Sequence, residues 1–134
     1  MFKNKIHHIG IIVPNEEQVN FLLKLTGLEH GHSVYVKEYQ ATCVFAVEKE
    51  REGSQLEFII PDVNSKLSKF NNGLGGIHHL AIETPNIKQT MEYLDKEFEI
   101  DFIEKEPVEA GDLLINFLSP SMTRSIIIEF VQKK

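Results

Sequence analysis

The stretch that decides the fold is IHHIG, Ile6 to Gly10, in which two imidazoles open a run, IGIIV, that otherwise has the apolar pattern of a buried strand. Nearly the same word returns as IHHLA, Ile77 to Ala81. A shift of 71 residues lays one on the other, and Ile6, His7, His8, Ile11, Pro14, Asn15, Gln18 and Leu23 then meet Ile77, His78, His79, Ile82, Pro85, Asn86, Gln89 and Leu94 without a gap. Eight identities in eighteen positions are hard to attribute to chance. A period this long exceeds that of solenoid repeats and indicates two copies of a whole supersecondary unit.

Working outward, each copy continues in the same order. The opening β-rich run, IHHIGIIV or IHHLAIET, closes at a Pro-Asn pair that starts a turn and can cap a helix. Val19, Leu22 and Leu23 give the first helix an apolar stripe, widened by Phe21 and Leu25, and Gly27 suits the position just past its end. Ile87, Met91, Tyr93 and Leu94 give the second helix a looser stripe. Three β-type runs follow in each copy: HSVYVKEY, ATCVFAVE and SQLEFIIP, then EIDFIEKE, DLLINFLS and RSIIIEFV. The order βαβββ, twice, predicts an α+β fold of two tandem modules, residues 5–61 and 76–132, within a single domain, 1–134. The linker 62–75 carries NNGLGG and has room for a helical turn or two over 63–70.

The bulk numbers bound the function. At 134 residues, 42% hydrophobic and 25% charged, the chain has ordinary globular values and suits one compact domain. A net charge of −6 argues against nucleic acid as partner, since phosphate backbones select basic surfaces. The single cysteine, Cys43, forms no internal disulfide and fits a reducing cytoplasm. MFKNK leads into an apolar run too short and broken for a signal peptide, and no run approaches the roughly 20 residues of a membrane span.

Alternation along a strand sends His7 and His8 to opposite faces. His7 shares its face with Ile9, Ile11 and Val13, and His78 with Leu80 and Ile82, as expected for the side packed under helices. His8 shares its face with Gly10, and His79 with Ala81, so small neighbours leave space over the second histidine of each pair. A lone histidine of this kind is most often a hydrogen-bonded core or edge residue. Duplication argues for more, because two related imidazoles brought together by symmetric packing suit a metal. The closing run of each copy holds a carboxylate among apolar residues, Glu57 in QLEFIIP and Glu129 in SIIIEFV, 49 and 50 residues after His8 and His79. A buried carboxylate is normally paired, protonated or bound to a cation. Two imidazoles and two carboxylates without a thiolate suit a divalent ion such as Co, Ni, Zn, Mn or Fe(II), with water completing an open shell.

With IHHIGIIVPN, QLEFIIP, GIHHLAIETPNI and INFLSP followed by IIIEF, the sequence resembles the vicinal oxygen chelate superfamily, the glyoxalase fold, over essentially its whole length, and most of all its methylmalonyl-CoA epimerase family. The resemblance implies a cupped mixed sheet with helices outside, a homodimer, and a divalent metal held by His8, Glu57, His79 and Glu129. KEYQATCVFAV resembles the epimerase stretch that carries the catalytic base, which puts that role on Glu38, expected on a strand face with Gln40 and Thr42. Glu129 would then act from the other face while also serving as ligand. The implied chemistry is removal of a proton next to the carbonyl of an acyl-CoA, with the metal holding a chelated enolate. Glyoxalase I (lactoylglutathione lyase) is the alternative enzyme, acting on a glutathione adduct, and Glu57 suits it. A ring-cleaving dioxygenase fits less well, because Glu57 crowds its two-histidine, one-carboxylate site. A non-catalytic drug- or metabolite-binding member of the fold is the third reading.

Overall fold

The computed structural model describes residues 3–48 and 54–134. Residues 1–2 of MFKNK, and 49–53 within the expected first repeat, lie outside the described residues. The elements are β1 (Lys5–Ile12), α1 (Glu16–Thr26), β2 (Glu29–Val36), β3 (Ala41–Val47), β4 (Gln55–Pro61), β5 (Gly76–Glu83), α2 (Ile87–Phe98), β6 (Val108–Ala110), β7 (Leu113–Phe117) and β8 (Ile128–Lys133), with 3-10 segments at Lys37–Tyr39, Lys66–Gly73 and Pro120–Thr123. The βαβββ order is present twice. The chain forms two compact units, His8–His78 and His79–Lys134, the latter together with Met1–His7. Among the described residues no helix is long and apolar enough to cross a membrane.

In the first unit the strand order is β2-β3-β4-β1. β1 runs parallel to β4, which needs a crossover, and β3 runs antiparallel to both β2 and β4. The crossover contains α1, whose N-terminus is fixed by Asn15 accepting the Gln18 amide at 2.9 Å. Gly27 ends it in the left-handed region (φ 73°), donating to the Leu23 carbonyl. Val19 of the helix packs with Val13, Val44, Ala46 and Phe58, and Leu22 and Leu23 of the helix lie around them with Ile11, Leu56 and Ile60. The expected widening of the stripe does not occur: Phe21 and Leu25 are 56% and 69% exposed. At about 100° per residue they turn away from the Val19 side.

The run HSVYVKEY is not one strand. Val36 of β2 pairs with Ala41 of β3, so residues 37–40 must reverse the chain, and they do so as a 3-10 turn closed by Gln40 at φ 50°. Glu38 therefore sits in a turn, and the expectation of a strand face shared with Gln40 and Thr42 is corrected. The linker's helical turn forms a little later than expected, at Lys66–Gly73, capped by Ser65.

The second unit repeats the order as β6-β7-β8-β5, with β5 parallel to β8. Asn86 caps α2 by accepting the Gln89 amide at 3.0 Å, as Asn15 does for α1. Ile87 of the helix forms a core with Leu118 and Phe130, joined by Met91 and Leu94 of the helix and by Ile82. Here EIDFIEKE departs from the reading as a strand. Phe102 bridges to Leu118, but the chain then lifts off β7 and rejoins it only at Val108, opposite Ile115. The buried Asn116 takes over the missing ladder, its amide bonding both the Glu104 N–H and C=O. RSIIIEFV likewise becomes strand only from Ile128, since Arg124 and Ser125 have positive φ and finish a turn.

Candidate functional site

Within the first unit, His8 and Glu57 are brought together. His8 is on β1 and Glu57 on β4, where its pairing partner is Gly10, two residues past His8 on the same face. The small residue leaves the carboxylate room to lean toward the imidazole, and Nε2 of His8 lies 3.4 Å from Oε1 of Glu57. Both residues are buried.

The second unit builds the same arrangement from its own residues. Glu129 of β8 pairs with Ala81 of β5, two residues past His79, and Nε2 of His79 lies 3.4 Å from Oε1 of Glu129. Again both are buried. The first member of that repeat's pair, His78, meets Phe70 of the linker edge-to-face, with ring centroids 4.8 Å apart.

The spacing bears on what each pair can hold. A charge-assisted N–H···O contact closes to about 2.7–2.9 Å, shorter than either pair. Two donor atoms at about 2.0–2.2 Å from one tetrahedral cation stand about 3.4 Å apart. Each buried imidazole and carboxylate therefore fits two places in the shell of a divalent ion, and His8, His79 and Glu129 all offer ligand atoms of that type.

Two aromatic residues complete the pairs and were not picked out as site residues. Phe45 of β3 pairs with Glu57 and meets the His8 ring edge-on, with centroids 5.4 Å apart and planes at 84°. Phe117 of β7 pairs with Glu129 and meets the His79 ring in the same way, at 5.2 Å and 87°. The signal was present in the sequence. A shift of 72 residues, one more than for the histidines, lays Phe45 on Phe117 and Glu57-Phe58 on Glu129-Phe130. The first unit adds His32, exposed and stacked on Phe45 with centroids 4.7 Å apart. An irregularity in the pairing of β2 between His30 and Ser33 includes it, of the kind that re-aims side chains beside sites.

Glu38 belongs to neither pair. It is exposed on the turn between β2 and β3.

Comparison with known proteins adds the family. The model of the Glyoxalase/Bleomycin resistance protein/Dioxygenase superfamily matches residues 7–117. The mitochondrial methylmalonyl-CoA epimerase of Bos taurus is 27% identical over 133 residues, spanning 96% of this chain and 74% of that protein. Among solved structures, a hypothetical protein from Bacillus halodurans C-125 superposes with a TM-score of 0.86 at 28% identity, over 98% of this chain and 96% of that one. A methylmalonyl-CoA epimerase in complex with methylmalonyl-CoA and NH4+ superposes with a TM-score of 0.84 at 22% identity, over 97% of this chain and 94% of that one.

Proposed function

The chain belongs to the Glyoxalase/Bleomycin resistance protein/Dioxygenase superfamily, and from that premise we propose that it is an enzyme that epimerises a methylmalonyl-CoA-like thioester. The observation that carries the reading is the duplicated, buried histidine–glutamate pair with one spacing, 3.4 Å, in each half. The epimerase relatives and neighbours supply the substrate class. In this reading His8, Glu57, His79 and Glu129 hold one divalent cation, the repeats 5–61 and 76–132 act as one domain, and the protein works as a homodimer in the cytoplasm.

A bound cation supplies Lewis-acid stabilisation of charge developing on a carbonyl oxygen, worth several kcal/mol. The protein's own residues handle the proton. Glu38, on an open turn, accepts the proton from the carbon next to the thioester, a contribution of about 10²–10⁴ in rate. Epimerisation then needs a proton returned to the opposite face, and Glu129 is the carboxylate assigned to it. Phe45 and Phe117 hold the His8 and His79 rings edge-on, fixing the direction in which Nε2 points.

The test is incubation of the metal-loaded protein with methylmalonyl-CoA in D₂O, with α-deuteration followed by mass spectrometry, beside a parallel incubation with methylglyoxal and glutathione. Rapid deuteration without turnover of the thiol adduct is the expected result. The reverse pattern would replace the epimerase by a lactoylglutathione lyase, and no turnover of either would leave a binding protein.

A further inference from the structure

We infer that the segment joining the two repeats is a positioning device for Glu38, acting through Ser65; the inference rests on the reading of Glu38 as the base. The Glu38 turn is closed by a hydrogen bond from the Gln40 amide to the Lys37 carbonyl at 3.2 Å, and it leaves the strand register with Gln40 in a left-handed conformation. A single tight turn of this kind opens readily. The linker ties the turn from outside at two points and the strand leading into it at a third. The Asp62 amide donates to the Gln40 carbonyl at 2.8 Å. Ser65 Oγ donates to the Tyr39 carbonyl at 2.7 Å. Tyr35, three residues before Glu38, donates its hydroxyl to Asp62 Oδ2 at 2.5 Å.

Ser65 is the centre of this clamp. It is 2% exposed, and its hydroxyl also accepts the Leu67 amide at 3.2 Å, capping the 3-10 segment that follows. Its own amide donates to the Asp62 carbonyl at 2.9 Å, so the residues that grip positions 39 and 40 are fixed to each other. None of these bonds uses the Glu38 carboxylate, which stays exposed above a pinned backbone. That is the arrangement a general base requires, because a displacement of about 1 Å in a reacting group can cost about a hundredfold in rate.

The experiment compares Ser65→Ala, Ser65→Thr, Glu38→Gln and the double variant Glu38→Gln/Ser65→Ala, all metal-loaded. The readouts are α-deuteration of methylmalonyl-CoA, metal content, and amide hydrogen exchange over residues 35–41. Ser65→Ala is expected to slow deuteration roughly ten- to a hundredfold, speed exchange in the turn and leave metal content unchanged. Ser65→Thr restores both, and Ser65→Ala adds nothing in the Glu38→Gln background. An equal loss in both backgrounds would overturn the inference, because Ser65 would then act independently of Glu38. A slow Glu38→Gln beside a normal Ser65→Ala overturns the clamp alone; a normal Glu38→Gln overturns the reading of the base and the clamp with it. If Ser65→Ala does not fold, Tyr35→Phe removes an exposed tie and carries the same comparison.

Discussion

The two halves of the chain agree where the histidine–glutamate pairs lie and differ in the strands farthest from them. In each, a histidine sits two residues before a small residue that pairs with the glutamate, and a phenylalanine on the next strand closes the other side. Yet β2 has eight residues and leads into the Glu38 turn, whereas β6 has three and follows a segment held by a buried asparagine. The histidine–glutamate pairs are alike in the two halves, and the edges are not. In the proposed function the two histidine–glutamate pairs serve one cation, and the turn that carries the base belongs to one half alone.

The comparison breaks first at the histidines. His8→Ala and His79→Ala should each lower metal affinity by more than the roughly 10–100-fold that accompanies loss of a supporting contact, and should abolish α-deuteration, while His7→Ala and His78→Ala retain the metal. Elemental analysis of the purified variants decides it, and equal retention in His8→Ala and His7→Ala would reverse the assignment of faces.

The next effect sharpens the difference between halves. Glu38→Gln should slow deuteration by about 10²–10⁴ with metal content intact, since only a proton acceptor is removed. An unchanged rate removes Glu38 from the mechanism even if the activity itself is established.

A smaller effect tests the divergent edge of the second half. Asn116 aligns with Val44 under the 72-residue shift, so a core valine in one half answers to a fully buried amide in the other. Asn116→Ala leaves the Glu104 N–H and C=O without the partner they have at 3.2 and 2.9 Å and should cost about 1–3 kcal/mol in a urea titration.

The smallest effect is at Tyr35, whose hydrogen bond to Asp62, with the nearby carboxylate charge and some desolvation, raises its pKa above the ordinary 10.0. The protonated phenol is the form that binds, so its contribution is complete below the unfolded value and is lost only as pH rises through the higher folded one. Absorbance titration of Tyr35→Phe against wild type should lose a step lying above the ordinary tyrosine range; a missing step at or below it would contradict the bond.

Much of this was legible because repetition is a signal independent of any single propensity. His8, Glu57, His79 and Glu129 stood out through recurrence, and Asn15, Gly27 and Asn86 through capping chemistry that depends only on neighbours in sequence. The failures share a different cause. Whether HSVYVKEY stays extended is decided at Ala41, where the register of β3 obliges the chain to turn, and EIDFIEKE is displaced by one amide fourteen residues downstream of Phe102. β-propensity reports how a residue suits a pleated surface and carries no information about which partner strand will be present. Phe45 and Phe117 were hidden by a single added residue that moved the repeat from one shift to the next.

Gly75, in the segment between the repeats, has φ 74°, and a Cβ placed there would lie 2.4 Å from the carbonyl oxygen of Ile12. Glycine is the only residue that meets both demands. At this point the joining segment is not a loose strap: it is seated on the backbone of the first repeat's opening strand. Any side chain at this position would have to push the Ile12 backbone aside, so a residue that belongs to neither histidine–glutamate pair is closed to substitution by packing alone.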